Sequence, residues 1–313
     1  MSELESQFSN QQARFKYADA KLLGTIIDGL ADVIEEAAFT ISKEGLKVAG
    51  LDPAKVAYIE LFMPQSEFLE LEAPDKPVVM GANLASLSRA LSASRKHSNV
   101  EVRVSQDKVL LSVEGQPRRV YLLPNIEVSS EVPEMNLEHD VDAKIMADPF
   151  RRAVEDAGEF GSAVEFEATD TYFAVRAAGE ERKAEAKFLT GSASLISLEV
   201  KANSRASYDY SYLDKALSLA KVADHVEVMF KSDNPLELRF ESTGGTSIRF
   251  ILAPFSGVPA EEKEEGGGRR GRKRKEEEGA EEAKEGEGAE GEEEEGEEEE
   301  EGEGGEEGSE EEE

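Results

Sequence analysis

Carboxylates and histidines are the side chains here that could perform acid–base or metal chemistry, because the 313-residue chain contains no cysteine. The three histidines, His97, His139 and His225, are predicted at a helix end, in a linker and in a turn, without the spacing of metal ligands. The sequence contains no glycine-rich phosphate loop, no Gly-x-Ser-x-Gly motif and no paired-acid motif distinguishable from surface glutamates. The sequence therefore predicts no catalytic residues, no cofactor and no metal, with the histidines at the surface.

Basic side chains point instead to contact with phosphate. They lie opposite the apolar stripes of four predicted helices, where they are exposed to solvent. If the four helices line one surface, these charges meet DNA phosphates without reading bases. The alternative is that they only make exposed helices soluble. The candidate positions are Lys21, Arg89, Arg95, Lys96, Arg151, Arg152, Lys215 and Lys221, with Lys21 offset by Asp28 and Asp32.

The four helices follow from apolar spacing and from capping residues. Apolar residues between Leu22 and Ile34 recur at helical spacing and predict the first helix. Asn83 predicts the N-cap of the second, and Asp148 followed by Pro149 predicts the start of the third. Apolar residues between Leu213 and Ala220 predict the fourth.

Short alternating runs between the helices predict β-strands. Because tight turns join them, antiparallel sheets with helices on one face are favoured over parallel units, which gives an α+β fold. The predicted strands are 39–42, 46–48, 56–62, 100–104 and 109–113 in the first half, and 164–167, 172–175, 184–188, 195–200, 226–230 and 236–240 in the second.

A self-comparison indicates an internal duplication. The segment 90–92 (ALS) recurs at 216–218, and 100–102 (VEV) recurs at 226–228, both at an offset of 126. The segment 119–124 (RVYLLP) resembles 249–254 (RFILAP), so that each half closes on an equivalent strand. Two duplicated domains, each with two helices, are therefore predicted.

The net charge of −33 divides unevenly along the chain. Residues 259–313 contain 28 Glu against eight Lys and Arg, so that −20 belongs to this tail and −13 to the remainder. With no aromatic or β-branched residue to bury, the tail is predicted to be disordered, and its basic island 269–275 either contacts nucleic acid or pairs with flanking glutamates. The predicted parts are an N-terminal flexible extension (1–12), domain 1 (13–124), an interdomain connecting loop (125–139), domain 2 (140–258) and the tail (259–313).

Apolar runs shorter than about 18 residues predict no membrane span, and residues 1–12 lack the apolar segment of a signal peptide. A soluble protein of the cytoplasm is expected.

Four short segments carry a resemblance to a known family. They are 36–39 (EAAF) after the first helix, Gly45 with 51–53 (LDP) in the following hairpin, 81–84 (GANL) at the second helix and 252–254 (LAP) at the close. In these segments, and over most of residues 13–258, the chain resembles an archaeal DNA sliding clamp of the proliferating cell nuclear antigen type.

This resemblance implies a DNA clamp fold in which three subunits with two similar domains each form a pseudo-sixfold ring, with helices inside and sheets outside. Such a ring encircles duplex DNA without sequence preference and acts as a processivity factor in DNA replication and DNA repair. The implied partners are DNA polymerase, flap endonuclease, DNA ligase and the clamp loader, each docking through a short peptide. The trimer is homo- or heterotrimeric, and the implied location is the nucleoid of a prokaryotic cell.

The resemblance also implies two protein-binding surfaces. The client-peptide groove comprises Leu51, Val56, Val132, Pro133, Pro235, Ile251, Ala253 and Pro254. The subunit interface comprises Arg119, Tyr121, Leu123, Ala184, Ala186 and Phe188, on strands that continue one sheet into the next subunit.

The chain departs from the family pattern in its first helix, where Gly24, Thr25 and Ala31 replace lysines that many relatives direct toward DNA, and in its Glu-rich tail. We expect this tail to screen the groove or to repel DNA from the outer face. An alternative function is an acid-tailed scaffold that binds basic proteins and does not encircle DNA. The duplication and the basic helix faces favour the clamp.

Overall fold

A computed structural model of the chain describes residues 3–92, 94, 98–128, 135–179 and 182–255. The predicted DNA-facing residues Arg95 and Lys96, the groove residues Val132 and Pro133, and the tail from residue 259 lie outside the described residues.

Two successive halves of the chain contain the same order of elements. After a short helix α1 (Glu3–Ser6), the first half contains β1 (Ala13–Tyr17), α2 (Ala20–Ala31), β2 (Glu36–Ser42), β3 (Gly45–Leu51), β4 (Ala57–Pro64), β5 (Phe68–Glu72), β6 (Val78–Asn83), α3 (Leu84–Leu91), β7 (Val100–Val104), β8 (Lys108–Val113) and β9 (Arg119–Pro124). The second half contains β10 (Val141–Met146), α4 (Ala147–Gly158), β11 (Ala163–Thr169), β12 (Tyr172–Ala178), β13 (Lys183–Leu189), β14 (Leu195–Val200), β15 (Ser204–Asp209), α5 (Tyr210–Leu217), β16 (His225–Phe230), β17 (Leu236–Glu241) and β18 (Ser247–Leu252). Short 3-10 turns occupy Gln65–Glu67 and Ser218–Val222.

Strand pairing repeats in the same way. The order β5-β1-β7-β8-β9 in the first half corresponds to β14-β10-β16-β17-β18 in the second, and β6-β2-β3-β4 corresponds to β15-β11-β12-β13. Strands β4 and β18 pair with each other and join two of these sheets into one of nine strands. Every pairing between the described strands is antiparallel. The predicted α+β fold is therefore confirmed.

The core lies between the sheets and the helices. Alternate residues of β1, namely Ala13, Phe15 and Tyr17, are buried, and the equivalent strand β10 repeats this alternation. In the second half Phe150 of α4 packs against Phe166 with ring centroids 5.9 Å apart. Burying each such ring contributes roughly 1.5–3 kcal/mol to folding. One face of each sheet is thus fixed as its inner face.

Side-chain caps define the starts of α2, α3 and α5, the last through Asp209, whose Oδ1 accepts the N–H of Ser211. Asp19 Oδ1 accepts hydrogen bonds from the backbone N–H groups of Lys21 and Leu22 at the start of α2. Asn83 Oδ1 accepts one from Ser86 N–H at 3.0 Å, which confirms Asn83 as the N-cap of α3.

The predicted start of α4 is wrong by two residues. Met146, without a side-chain cap, precedes the helix, so that Asp148 and Pro149 lie inside its first turn. A proline is tolerated there because the first N–H groups of a helix have no intrahelical partner, and a carboxylate is favoured by the helix dipole. Asp148 binds Arg151 and Arg152 instead of capping the backbone.

The connecting loop begins in close contact with β6. Gly81 donates its N–H to Asn125 Oδ1 at 2.8 Å, and its carbonyl oxygen accepts the N–H of Ile126 at 3.1 Å. A Cβ atom at Gly81 would overlap the carbonyl oxygen of Ile126. Only glycine permits the two backbones to approach this closely.

Replacing Gly81 by Ala is therefore expected to displace the connecting loop and to destabilise the protein by about 2 kcal/mol. For a domain of this size the Tm falls by about 4–8 °C, measurable by thermal unfolding. Gly115→Ala is the matched control, because its nearest neighbour, a carbonyl oxygen, would lie at an ordinary 3.7 Å from the added Cβ. Equal melting temperatures for the two variants would contradict the prediction.

None of the helices in the described ranges has the length and apolarity needed to cross a membrane.

Candidate functional site

The six described members of the predicted DNA-facing set lie on one continuous layer of helices. Helix α2 contacts α3 and the turn Ser218–Val222, and this turn and α5 contact α4. Two glycines of α2 permit the close packing: a Cβ at Gly24 would lie 3.3 Å from Leu91 Cβ, and one at Gly29 would overlap Leu219. Gly24 is therefore buried against α3, so a lysine at this position would not reach the open side of the layer.

Four of the predicted cations make no ion pair with the described residues. Lys21, Arg89 and Lys221 are exposed, on α2, on α3 and in the 3-10 turn. Lys215 of α5 is half-buried, with its Nζ 4.8 Å from the centre of the Tyr212 ring. Among the described candidate cations, these four are therefore not neutralised by a carboxylate partner.

The two cations of α4 are already paired. Arg151 Nη2 lies 2.7 Å from Asp148 Oδ1, and its Nη1 lies 2.7 Å from Glu155 Oε2. Arg152 Nη2 lies 2.9 Å from Asp148 Oδ2. The hydrogen bond from Arg151, together with the charge of Arg152, lowers the pKa of Asp148. Helix α4 thus offers phosphate much less net positive charge than its two arginines indicated.

The described groove residues converge where β4 pairs with β18. Leu51 lies opposite Tyr58, and Tyr58 lies opposite Ile251 across three neighbouring strands. Val56 accepts the N–H of Ala253 at its carbonyl oxygen, at 3.0 Å. Pro254 follows Ala253, and Pro235 precedes the residue opposite Leu252. An apolar strip therefore crosses the joint between the two halves.

A buried carboxylate beside this strip anchors the end of the connecting loop. Glu237 Oε1 lies 2.7 Å from Arg249 Nε and its Oε2 lies 2.8 Å from Arg249 Nη2, while the Glu237 side chain is 1% exposed. Arg249 Nη2 also donates to the carbonyl oxygen of Met135 at 2.6 Å, and His139 Nε2 lies 3.2 Å from Glu237 Oε2. Sequence patterns did not reveal this cluster, because a glutamate in an alternating strand is usually solvent-facing.

The predicted interface residues lie on two strands with open edges. In the described part of the chain β9 pairs only with β8, and β13 pairs only with β12. Tyr121 and Leu123 of β9 are half-buried against the core, as is Ala186 of β13, whereas Phe188 is buried. Arg119 also lies on β9, and the half-buried Ala184 also lies on β13.

Histidine placement differs partly from expectation. The side chain of His139 is 15% exposed and faces Glu237, so its predicted surface position is wrong. His225 begins β16, and its ring lies near Glu227 and Glu241 with ligand atoms within 4.8 Å of one another. Glu227 already binds Lys144, at 3.1 Å. His97 lies outside the described ranges.

Comparisons with known proteins agree on one family. The family model for the proliferating cell nuclear antigen, N-terminal domain, matches residues 12–131. DNA polymerase sliding clamp 1 of Aeropyrum pernix is 37% identical over 247 residues, which cover 78% of this chain and 100% of the relative.

Solved structures share the fold. The proliferating cell nuclear antigen of Thermococcus kodakaraensis aligns with a TM-score of 0.73 at 22% identity, covering 78% of this chain and 100% of that one. A chain of the PCNA2–PCNA3 complex from Sulfolobus tokodaii aligns with a TM-score of 0.71 at 23% identity, covering 77% and 98%. The chain belongs to the DNA polymerase sliding clamp family, that of the proliferating cell nuclear antigen.

Proposed function

We propose that this chain is one subunit of a trimeric ring that encircles duplex DNA and tethers DNA polymerase and other client enzymes. The observation that carries the proposal is the β4–β18 joint between the two halves. Because the halves repeat the same topology, β13 is the counterpart of β4, and β9 is the counterpart of β18. A second joint of the same kind between subunits, repeated three times, closes a ring of six similar domains.

Internal symmetry also supplies a register for the subunit joint. In the first half, one row of opposite residues crosses β7, β8 and β9 at Val102, Leu111 and Tyr121. The equivalent row in the second half crosses β16, β17 and β18 at Val228, Leu238 and Phe250. Tyr121 is therefore the counterpart of Phe250, whose partner in β4 is Ile59.

The same comparison applies to the other edge. Val48 lies opposite Leu61 in the first half, and Val175 lies opposite Ala186 in the second. Ala186 is thus the counterpart of Leu61, and Ala184 that of Ile59. The proposed joint places Tyr121 opposite Ala184 of the next subunit.

The helix layer faces DNA in this proposal. Its four described unpaired cations lie on α2, on α3, on α5 and in the 3-10 turn Ser218–Val222, which suits weak contacts that let the duplex slide while ring closure prevents escape. The subunits are identical or homologous chains, and residues 13–124 and 140–258 form the two clamp domains. The protein acts at the nucleoid, in the cytoplasm, without catalytic residues of its own.

Clients dock in the apolar strip defined by Leu51, Val56 and Ala253, together with the connecting loop. Apolar side chains of this kind can receive the apolar anchors of a short helical peptide. The clients we expect are DNA polymerase, flap endonuclease, DNA ligase and the clamp loader.

Neutralising the unpaired cations tests the DNA-facing assignment. In the triple variant Lys21→Gln, Arg89→Gln and Lys221→Gln, we expect stimulation of the polymerase on primed circular DNA to fail at lower salt than in the unmodified clamp. Each phosphate contact that is lost reduces the salt-dependence slope by about 0.9.

Arg151→Gln with Arg152→Gln is the comparison variant, because these charges are already paired with Asp148 and Glu155. Its effect is expected to be smaller, and both variants are expected to remain trimeric. Unchanged stimulation by the triple variant across the salt series would exclude this layer as the DNA-facing surface.

A further inference from the structure

One buried carboxylate holds the turn that joins β3 and β4. Asp52 Oδ1 accepts the N–H groups of Val56 at 2.6 Å and Ala57 at 2.7 Å, and its Oδ2 accepts that of Ala54 at 3.0 Å. The carbonyl oxygen of Asp52 accepts the N–H of Lys55 at 2.9 Å. The conformation of the whole turn therefore depends on the position of Asp52.

A tyrosine from the other half of the chain fixes that position. Tyr212 of α5 donates its hydroxyl to Asp52 Oδ2 at 3.1 Å, although 160 residues separate the two. Burial alone would raise the pKa of Asp52, but the backbone hydrogen bonds and the one from Tyr212 outweigh it and lower the pKa. Asp52 is thus a charged acceptor at neutral pH, and hydrogen bonds to charged groups are the strong ones.

The same turn forms one wall of the docking strip. Leu51 precedes Asp52, and the carbonyl oxygen of Val56 binds Ala253 on the opposite wall. The Tyr212 side chain is itself held in place, because Lys215 lies over its ring one helical turn further along α5. A chain of contacts therefore runs from the helix layer through Tyr212 and Asp52 to the strip.

We propose that Tyr212 is a positioning residue for the client-docking strip, which it orients through the carboxylate of Asp52. The inference rests on the docking function proposed above. Without the hydroxyl, Asp52 loses its tie to α5 and holds the N–H groups of Val56 and Ala57 less firmly. The 52–57 turn then moves relative to Ala253, and the strip is no longer shaped before the peptide arrives, which weakens binding.

The test is the full-length Tyr212→Phe variant, with a fluorescently labelled docking peptide from an archaeal flap endonuclease as the probe. We expect the Kd to rise about tenfold, which corresponds to about 1.4 kcal/mol. Tyr210→Phe, which removes a hydroxyl from the same helix without touching Asp52, is expected to bind within twofold of the unmodified chain. Both variants should keep the same trimer mass.

A double-mutant comparison distinguishes positioning from general loosening of the fold. If Tyr212 acts through Asp52, the double variant has a Kd within about 1.5-fold of that of the Asp52→Ala single variant. A full additional tenfold loss, or a Kd for Tyr212→Phe within twofold of the unmodified chain, would overturn the proposal.

Amide hydrogen exchange provides a readout that needs no client. Tyr212→Phe should speed exchange at Val56 and Ala57 at least tenfold, with no change at the remote turn around Gly191. Unchanged exchange at Val56 and Ala57 would also overturn the proposal. Faster exchange in a protein that never binds the peptide would support the Tyr212–Asp52 tie and reject the docking function instead.

Discussion

Replacing Ala184 by Glu is expected to convert the trimer into single subunits at micromolar concentration. In the proposed joint Ala184 lies on the core-facing side of β13, opposite Tyr121 of the next subunit. A carboxylate there would lose its hydration without gaining a partner, at a cost of several kcal/mol. In the separate subunit the position is half-exposed, so the fold tolerates the change. Mass measurement in solution should give the 34.2 kDa chain alone instead of three times that mass.

Ile196→Glu is the matched control, because Ile196 lies on the edge strand β14 and is 51% exposed. This variant should remain trimeric. The register offers a positive test as well: with Tyr121 opposite Ala184, Val120 lies opposite Glu185. Since opposite residues of antiparallel strands have Cα atoms about 4.5–5.5 Å apart, the pair Val120→Cys and Glu185→Cys should form an intersubunit disulfide in a chain without other cysteines. A trimeric Ala184→Glu variant would contradict the proposed joint.

Replacing Glu237 by Gln is expected to destabilise the subunit by about 3–5 kcal/mol at neutral pH. The carboxylate is 1% exposed and binds Arg249 and Arg239, whose side chains are 22% and 44% exposed, as well as His139, so its loss leaves two partly buried guanidinium groups without this partner. It also releases the arginine that binds the carbonyl oxygen of Met135 in the connecting loop. Urea unfolding at equal protein concentration measures the difference.

The effect of Glu237 should depend on pH in a defined direction. Burial alone would raise the pKa of Glu237, but the hydrogen bonds from His139 and Arg249 and the charge of Arg239 outweigh it, so the pKa falls well below its ordinary value. A carboxylate with a depressed pKa stabilises the fold fully above its unfolded pKa of about 4.3 and loses this contribution as the pH falls below it. The difference between Glu237→Gln and the unmodified protein should therefore shrink below about pH 4.

Glu241→Gln is the control for this series, because Glu241 is exposed on the same strand. Its stability should follow that of the unmodified protein at every pH. If Glu237→Gln costs less than about 1 kcal/mol at neutral pH, the cluster does not hold the connecting loop in the way described.

The comparisons with known proteins favour the sliding clamp over the acid-tailed scaffold. The relative from Aeropyrum pernix is matched over its entire length, and its name supports the clamp. Nothing in the comparisons supports the acid-tailed scaffold.

Local sequence patterns were sufficient for much of the fold. Alternation between Val100 and Val104, and the capping residue Asn83, predict a strand and a helix start that the structure contains. Repeated segments at one offset predict the duplication, because a duplicated chain keeps its core positions and their spacing. The strands β1, β5, β6, β10 and β15 were not predicted. Several of them owe their conformation to pairing with neighbours distant in sequence.

The candidate surfaces were predictable only in part. The sequence identified Arg151 as a cation but did not reveal that its charge is neutralised. That neutralisation depends on where Asp148 and Glu155 place their carboxylate oxygens. Gly24 looked like an open position because its burial against Leu91 depends on the packing of two helices. The resemblance marked Asp52 as part of a motif without giving it a role.

By itself, the sequence determined the duplicated α+β design, the family and the division of charge between body and tail, because each depends on residue type and on order along the chain. Only the tertiary structure decided that β4 pairs with β18, that Glu237 is buried under the connecting loop, and that Tyr212 reaches Asp52 across 160 residues. Those contacts join segments with no local relation in sequence. The β4–β18 pairing and the Tyr212–Asp52 bond join the two halves, and Arg249, which Glu237 binds, contacts Met135 from 114 residues away. The energies of these contacts come from burial and from hydrogen bonds that involve charged groups, which form only when segments distant in sequence pack together.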